Sequence, residues 1–223
     1  MPNQIMADYL IGHRKRYEYL LEVVRKFSGG PSIEILDVGP SPFTRMLLWE
    51  YKRVQTLGFG AARDLFCQIP SDVPHHAFDL NDSEWVERWP VLPKFDMIVF
   101  AEVIEHLHVA PEHVLAFLSS CLKPGGTIIC QTPNAVSLDK RIHMVAGTNP
   151  FEPIRQDSSN PGHFRESTRK ELVRFGESAG LEVVFHQYRN YFISPRRSMR
   201  MIDRISAPFP SLRRGQTIVF RRP

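Results

Sequence analysis

The chain has 223 residues, 43% of them hydrophobic and 23% charged, with a formal net charge of +4. This balance is that of a water-soluble globular fold and excludes collagen-like, disulfide-stapled and intrinsically disordered chains. The length suits one well-buried α/β domain with additions and is short for two independent domains.

The first residues, MPNQIMADYLIGHRKRYEYLL, never run apolar long enough for a signal-peptide core, and no stretch has the length to span a bilayer. Cys67, Cys121 and Cys130 lack metal-type spacing, so we expect reduced, mostly structural thiols and a cytoplasmic location. The positive charge is uneven: Arg196, Arg197, Arg200, Arg204, Arg213, Arg214, Arg221 and Arg222 crowd the C-terminal end. A solvated basic face explains them, as does a footprint for an anionic substrate, an RNA or a membrane surface.

In chain order, apolar residues from Tyr9 to Phe27 recur at helical spacing, and Gly29-Gly30 supplies the stop of an N-terminal helix within residues 1–30. Ile33–Val38 reads as an apolar strand and Pro42–Tyr51 as a helix opened by proline. Val54–Gly58 and His76–Asp79 are strand candidates, and Phe95–Ala101 is an apolar run typical of a strand buried on both faces. Pro111–Leu122 predicts a helix, Lys123-Pro-Gly-Gly126 a break, and Thr127–Gln131 a fifth strand. Residues 132–165 show no strong period and are rich in Pro, Asn, Gly and Asp, the pattern of a functional or lid-like loop. Thr168-Arg-Lys-Glu171 is a capping box leading into a helix that Gly180 closes. Leu181–Gln187 and Gln216–Arg221 complete seven strands, with residues 189–214 as a basic, aromatic insertion. Strands alternating with helices imply a mainly parallel, Rossmann-like sheet whose ligands lie beyond the carboxyl ends of the strands.

The residues just after each strand are therefore the candidates. They are Asp37-Val-Gly39, Asp79-Leu-Asn81, Ala101-Glu-Val-Ile-Glu-His106 and Thr132-Pro-Asn134. Asp37-Val-Gly39 offers close backbone approach but also fits a simple turn, and Asp79 fits either a ligand contact or a helix N-cap. If a helix starts at Glu102, then Glu102, Glu105 and His106 share a face, an oxygen-rich set suited to Mg2+ or Mn2+. Loop orientation by Glu105 and His106 is the simpler use of the same residues. A neutral imidazole accepts a proton at physiological pH, so His143, His163 and His106 are base candidates, although His143 in SLDKRIHMVAG also reads as a helix-surface residue.

The fragments ILDVG, FDL, FDMIVFAEVIEHL, LKPGGTIICQTPN and HFRESTRKELVRFGESAGLEVV, in this order over roughly residues 30–190, resemble class I S-adenosylmethionine-dependent methyltransferases. The resemblance implies a single domain across 1–223, a seven-stranded sheet with an antiparallel last strand, and S-adenosylmethionine across the tips of strands one to four. It implies that Asp37, Gly39, Pro40 and Ser41 cradle the methionine end of the cofactor. Asp79 and Leu80 would meet the adenine, with Ala101 and Glu102 near the reactive methyl. Two departures stand out. Ser41 and Phe43 replace loop glycines, and TLGFG puts Phe59 or Gly60 where an acid usually grips the ribose, leaving Asp64 as a distant substitute.

The E-x-x-E-H pattern is similar to that of ubiquinone-pathway and small-RNA O-methyltransferases. There it binds metal with a downstream histidine, here matched by His163, giving Glu102, Glu105, His106 and His163 as the implied ligands. The polar loop NPFEPIRQDSSNPGHFRE, with Phe151 and Phe164 as platforms, suits a hydroxyl-rich small molecule and resembles polysaccharide-pathway methyltransferases. The expected activity is O-methylation of a sugar or glycan unit, with Mg2+ as a candidate cofactor and Glu102, His143 or His163 as catalytic groups. The alternatives are an RNA 2′-O-methyltransferase, a non-catalytic cofactor-binding protein, and an enzyme docked on lipid through Tyr191–Arg214. No RNA-binding module and no second domain to hold a strand are recognisable, which disfavours RNA; no DNA partner is expected, and a homo-oligomer stays open.

Overall fold

The computed structural model describes residues 2–60, 70–157, 161–192, 194 and 196–223, and for residues 2–11 the backbone path alone. Asp64, Cys67 and Asn160 lie outside the described residues. Seven strands form one sheet: β1 (Glu34–Val38), β2 (Arg53–Gly58), β3 (His75–Ala77), β4 (Phe95–Ala101), β5 (Leu122–Pro133), β6 (Glu182–Arg189) and β7 (Gly215–Arg221). Their order is β3-β2-β1-β4-β5-β7-β6, and only β7 runs antiparallel to its neighbours. The order reverses between β1 and β4, so a crevice opens above the carboxyl ends of those strands.

Among the described residues, six α-helices flank the sheet: α1 (Pro2–Ser28), α2 (Pro42–Glu50), α3 (Pro111–Ser120), α4 (Leu138–Val145), α5 (Arg169–Ser178) and α6 (Arg197–Ser206). Alternate residues of β4 show how the layers form. Met97 and Val99 face a cluster with Tyr17, Leu20, Val24, Phe43 and Leu47 from α1 and α2. Phe95, Ile98 and Phe100 face Val114, Phe117 and Leu118 of α3 and Leu172 and Phe175 of α5. All five of these β4 side chains are fully buried, as the uninterrupted apolar run predicts. No described helix is long and apolar enough to cross a membrane.

Three expectations need correction. Lys123–Gly126 does not precede the fifth strand. β5 already begins at Leu122, which pairs with Phe95, and the Pro-Gly-Gly bulge shifts the register before Met97 pairs with Thr127. Residues 132–165 are not all loop, because α4 lies within them; its buried residue is Lys140 while Ile142, Met144 and Val145 stay exposed, so its apolar residues do not mark a core-facing stripe. The third strand is His75–Ala77, one residue earlier than the pattern suggested, because Asp79 caps the 3-10 turn Leu80–Glu84 instead of extending the strand. The α5 capping box forms as read: Thr168 Oγ1 accepts from Glu171 N, and Glu171 accepts from Thr168 N at 2.8 Å.

Candidate active site

The loop after β1 is closed by side-chain hydrogen bonds. Gly39 has φ +73°, donates to Leu57 O at 2.9 Å, and faces Val103 so closely that a Cβ would sit 2.7 Å from its Cγ2. Ser41 is the N-cap of α2, and its Oγ accepts from Phe43 N at 3.2 Å. Thr44 Oγ1 accepts from Ser41 N at 2.9 Å and donates to Asp37 Oδ2 at 2.6 Å. A capping network thus fixes the path that further glycines would leave free, and Pro40 packs against Gly58. Asp37 is 3% exposed; burial, only partly offset by Thr44, raises its pKa to about 7.

At the tip of β3, Asp79 is both a cap and an open acceptor. Its Oδ1 accepts from Asn81 N and Nδ2 at 2.9 and 3.0 Å, while Oδ2 has no hydrogen-bond partner among the described residues. Leu80 beside it is buried in the α3-side core. Asn81 Oδ1 accepts from His108 N, joining this tip to the segment after β4.

The end of β4 differs from the helix expected at Glu102. Glu102 takes φ +57°, a strained conformation for a side chain with a Cβ, and only a 3-10 turn, Ile104–His106, follows. Glu102 Oε2 lies 3.9 Å from Arg16 Nη1 of α1, and Oε1 accepts a long 3.5 Å bond from Tyr191 Oη. Ala101, just before it, is half-buried and pairs with Gln131 of β5. Burial, reinforced by the Glu105 charge, raises the Glu102 pKa.

Glu105, His106 and His163 converge, each with a ligand atom within 4.8 Å of the others. Glu105 is fully buried and accepts from Thr132 Oγ1 at 2.9 Å through Oε2, while Oε1 has no hydrogen-bond partner among the described residues. Its backbone carbonyl accepts from Phe164 N at 2.8 Å, tying the 161–166 segment over the turn. Burial raises the Glu105 pKa. His106 Nδ1 donates to Gly162 O at 2.9 Å and His163 Nδ1 to Glu166 Oε1 at 3.2 Å, which leaves Nε2 of each ring with the lone pair. Burial, then the neighbouring His106, lowers His163 to about 4, so it is neutral near pH 7.

Several contributors carried no clear sequence signal. Lys140 pairs with Glu166 Oε2 and donates to Asn134 O at 3.1 Å; burial lowers its pKa to about 8. Arg16 and Tyr191 come from opposite ends of the chain, and Tyr191 is buried against Gly215, where any side chain would collide with its ring. The arginine among tyrosines in HRKRYEYLL was the one available hint. His143 is not drawn into the cluster: it is exposed on α4, with Nδ1 3.0 Å from Thr148 Oγ1. Asn134 serves as a staple, donating from Nδ2 to Ser211 O and Arg213 O.

The chain's likenesses fit this geometry. A family model described as "Methyltransferase domain" matches residues 12–186. A probable S-adenosylmethionine-dependent methyltransferase of Mycolicibacterium smegmatis is 35% identical over 99 residues, 41% of this chain and 32% of that protein, so the match spans about a third of that relative. Among solved structures, the N-methyltransferase NodS of Bradyrhizobium japonicum, in complex with S-adenosyl-L-homocysteine, superposes with TM-score 0.57 at 18% identity over 94% of this chain and 87% of that one. The cyclase SpnF superposes with TM-score 0.61 at 13% identity over 93% and 81%, so the fold by itself does not fix the reaction. The family model, covering most of the chain and every strand tip from β1 to β5, places this chain in the methyltransferase domain family, within the class I S-adenosylmethionine-dependent methyltransferases.

Proposed function

We propose that this chain transfers the methyl group of S-adenosylmethionine to a hydroxyl of a small polyhydroxylated acceptor, a sugar or glycan unit, at a site that holds a divalent cation. The observation that carries the cation is the orphaned Oε1 of fully buried Glu105 beside two imidazoles whose Nδ1 atoms are already engaged. A buried carboxylate oxygen without a partner is costly, and a cation satisfies it. The hydrogen bond that His163 Nδ1 donates to the Glu166 carboxylate is the arrangement that orients metal-ligating rings. Glu105, His106 and His163 are the ligands in this reading; Glu102 stands outside that group. Two imidazoles and one carboxylate suit Mn2+ better than Mg2+.

For the methyl donor, Asp79 Oδ2 is a free acceptor for the adenine amine, and Asp37, Gly39, Pro40 and Ser41 form the stiffened loop below the methionine end. S-adenosylmethionine supplies an electrophilic methyl on sulfur, so the protein's main task is to align the acceptor in line with it. A divalent cation supplies Lewis-acid lowering of a hydroxyl pKa. The chain's own groups do the rest. Lys140 and Glu166 hold His163 in place, Thr132 fixes Glu105, and Arg16 and Tyr191 fix Glu102. Glu102, whose proton affinity burial raises, is the proton acceptor at the tip of β4, because the one free nitrogen of His163 is given to the cation in this reading. His143 stays exposed on α4, its ring and its backbone carbonyl both engaged with Thr148 Oγ1, outside this group.

The acceptor class rests on residues 149–157, which are almost wholly exposed and present Asn149, Glu152, Arg155 and Gln156 beside Phe151. Many hydrogen-bonding groups around an aromatic face suit a sugar. A screen with label in the donor methyl, over sugars, phenols, amines and RNA, tests the class. Label in a sugar fraction supports it; label confined to amines or RNA refutes it.

A further inference from the structure

We propose that α6, together with Phe209 and the exposed end of α4, forms a docking face for an anionic lipid surface. This goes beyond the catalytic reading and does not depend on it.

The inner side of α6 is fixed. Asp203 takes two 2.8 Å bonds from Arg214, while Asn190 Nδ2 donates to Asp203 O at 3.1 Å and to Ser206 Oγ at 2.9 Å. The outward face is thereby set by the fold and not by chance rotation of the helix. It carries the i,i+4 pair Met201 and Ile205, 60% and 53% exposed, with Phe209 at 56% just beyond the C-terminal end. Arg197, Arg200 and Arg204 lie alongside them on the exposed arc, and Arg196 precedes the first turn. α4 packs against α6 and leaves Ile142, Met144 and Val145 in solvent.

Charge decides the occupant. Asp203 is the one acidic residue between Asn190 and Arg214, and it is consumed by Arg214. Among the described residues, none of the Arg196, Arg197, Arg200 or Arg204 guanidinium groups has an acidic partner. A cleft of about 200 Å3 lined by Lys15, Asn190, Phe192, Ser194, Arg200 and Asp203 adds a cationic, hydrogen-bonding niche of headgroup size. Exposed Met, Ile and Phe among arginines match the interfacial helices that lay apolar side chains below the headgroups and cations among them. RNA would use the arginines but gains little from Met201 and Ile205, which do not stack on bases. A second copy would set arginine against arginine across a two-fold axis.

The placement has a consequence for access. Pro133 of β5 and Arg189 of β6 both pair with Gly215 of β7, so residues 190–214 emerge at the carboxyl end of β5, beside Glu102 and Asn134. A lipid surface bound there lies at the same end of the sheet as the crevice.

Co-sedimentation of the full chain with vesicles tests the proposal. The chain should pellet with phosphatidylcholine–phosphatidylglycerol vesicles, and not with phosphatidylcholine alone, with binding that weakens as salt rises. Replacing Arg196, Arg197, Arg200 and Arg204 by Gln should lower partitioning by about fivefold per arginine. Met201→Glu with Ile205→Glu should lower it by about tenfold or more while the thermal melt stays unchanged, since both side chains are exposed. Met201→Trp, which keeps the apolar character, should show a blue-shifted emission on anionic vesicles. Absence of pelleting with phosphatidylglycerol, equal pelleting with both compositions, or wild-type binding by both charge and apolar variants would overturn it. So would a dimer that Met201→Glu dissociates in a chain that ignores vesicles.

Discussion

Replacing Asp37 by Asn should remove a pH dependence of stability that the wild-type fold carries. Asp37 is buried beneath α2, where its Oδ2 accepts from Thr44 Oγ1, and its pKa rises from 3.8 to about 7. A carboxyl with a raised native pKa binds its proton more tightly when folded, so it favours folding most at low pH. That contribution declines as pH rises from the unfolded pKa near 4 to the folded one near 7, and then stays flat. At about 1.4 kcal/mol per pKa unit, the loss between pH 5 and pH 8 comes to roughly 2–3 kcal/mol. Asparagine keeps an acceptor for Thr44 and cannot ionise. The difference in unfolding free energy, Asp37→Asn minus wild type, should therefore grow by about that amount from pH 5 to pH 8. Taking the difference cancels His13, His76, His163 and His186, whose lowered pKa values push stability the other way. Urea denaturation followed by circular dichroism at the two pH values gives the numbers. Parallel curves for the two proteins would mean that Asp37 is ionised throughout, and the burial argument would be refuted.

Gly39→Ala should cost about 2 kcal/mol or more, because φ +73° disfavours any Cβ and Val103 occupies its space; the thermal midpoint reports it. Asp79→Ala should weaken S-adenosylmethionine binding by about tenfold, by loss of an acceptor worth about 1–2 kcal/mol, and isothermal titration checks it. An unchanged affinity would remove Asp79 from the cofactor site. Glu166→Gln should reduce Mn2+ affinity by about 10–100-fold while leaving the circular dichroism spectrum unaltered, because a neutral amide oxygen holds the His163 N–H less strongly than the carboxylate and lowers the basicity of the ring. Mn2+ titration followed by electron paramagnetic resonance distinguishes this from an inert surface change.

The parts of the fold legible in the sequence are those whose cause is local. Phe95–Ala101 declares itself because a strand covered on both faces needs an unbroken apolar run, and α5 because Thr168 and Glu171 satisfy the first-turn amides. The mostly parallel sheet and its single antiparallel strand followed from that alternation and from the family resemblance. The candidate site was legible only as a set of strand tips. Glu102 at φ +57° leaves no mark in a sequence, since nothing but the surrounding fold holds a non-glycine residue there. The pairing of Lys140 with Glu166 and of Arg16 with Glu102 joins segments far apart in the chain, and α4 buries a lysine where periodicity looks for apolar residues. In Gly39-Pro-Ser-Pro the missing glycines did announce an altered loop. That Ser41 and Thr44 close it as a capping box became visible only with the backbone in place.

Methyl transfer to a hydroxyl under controlled metal content is the deciding measurement. The chain is stripped with chelator, given labelled S-adenosylmethionine and the sugar acceptor found by screening, and titrated with Mn2+ or Mg2+. Transfer should be lost in chelator and recover with added ion in the wild type, with no recovery in Glu105→Gln or His163→Ala proteins that remain folded. Undiminished transfer in excess chelator, or equal recovery in those variants, would contradict the role of the cation.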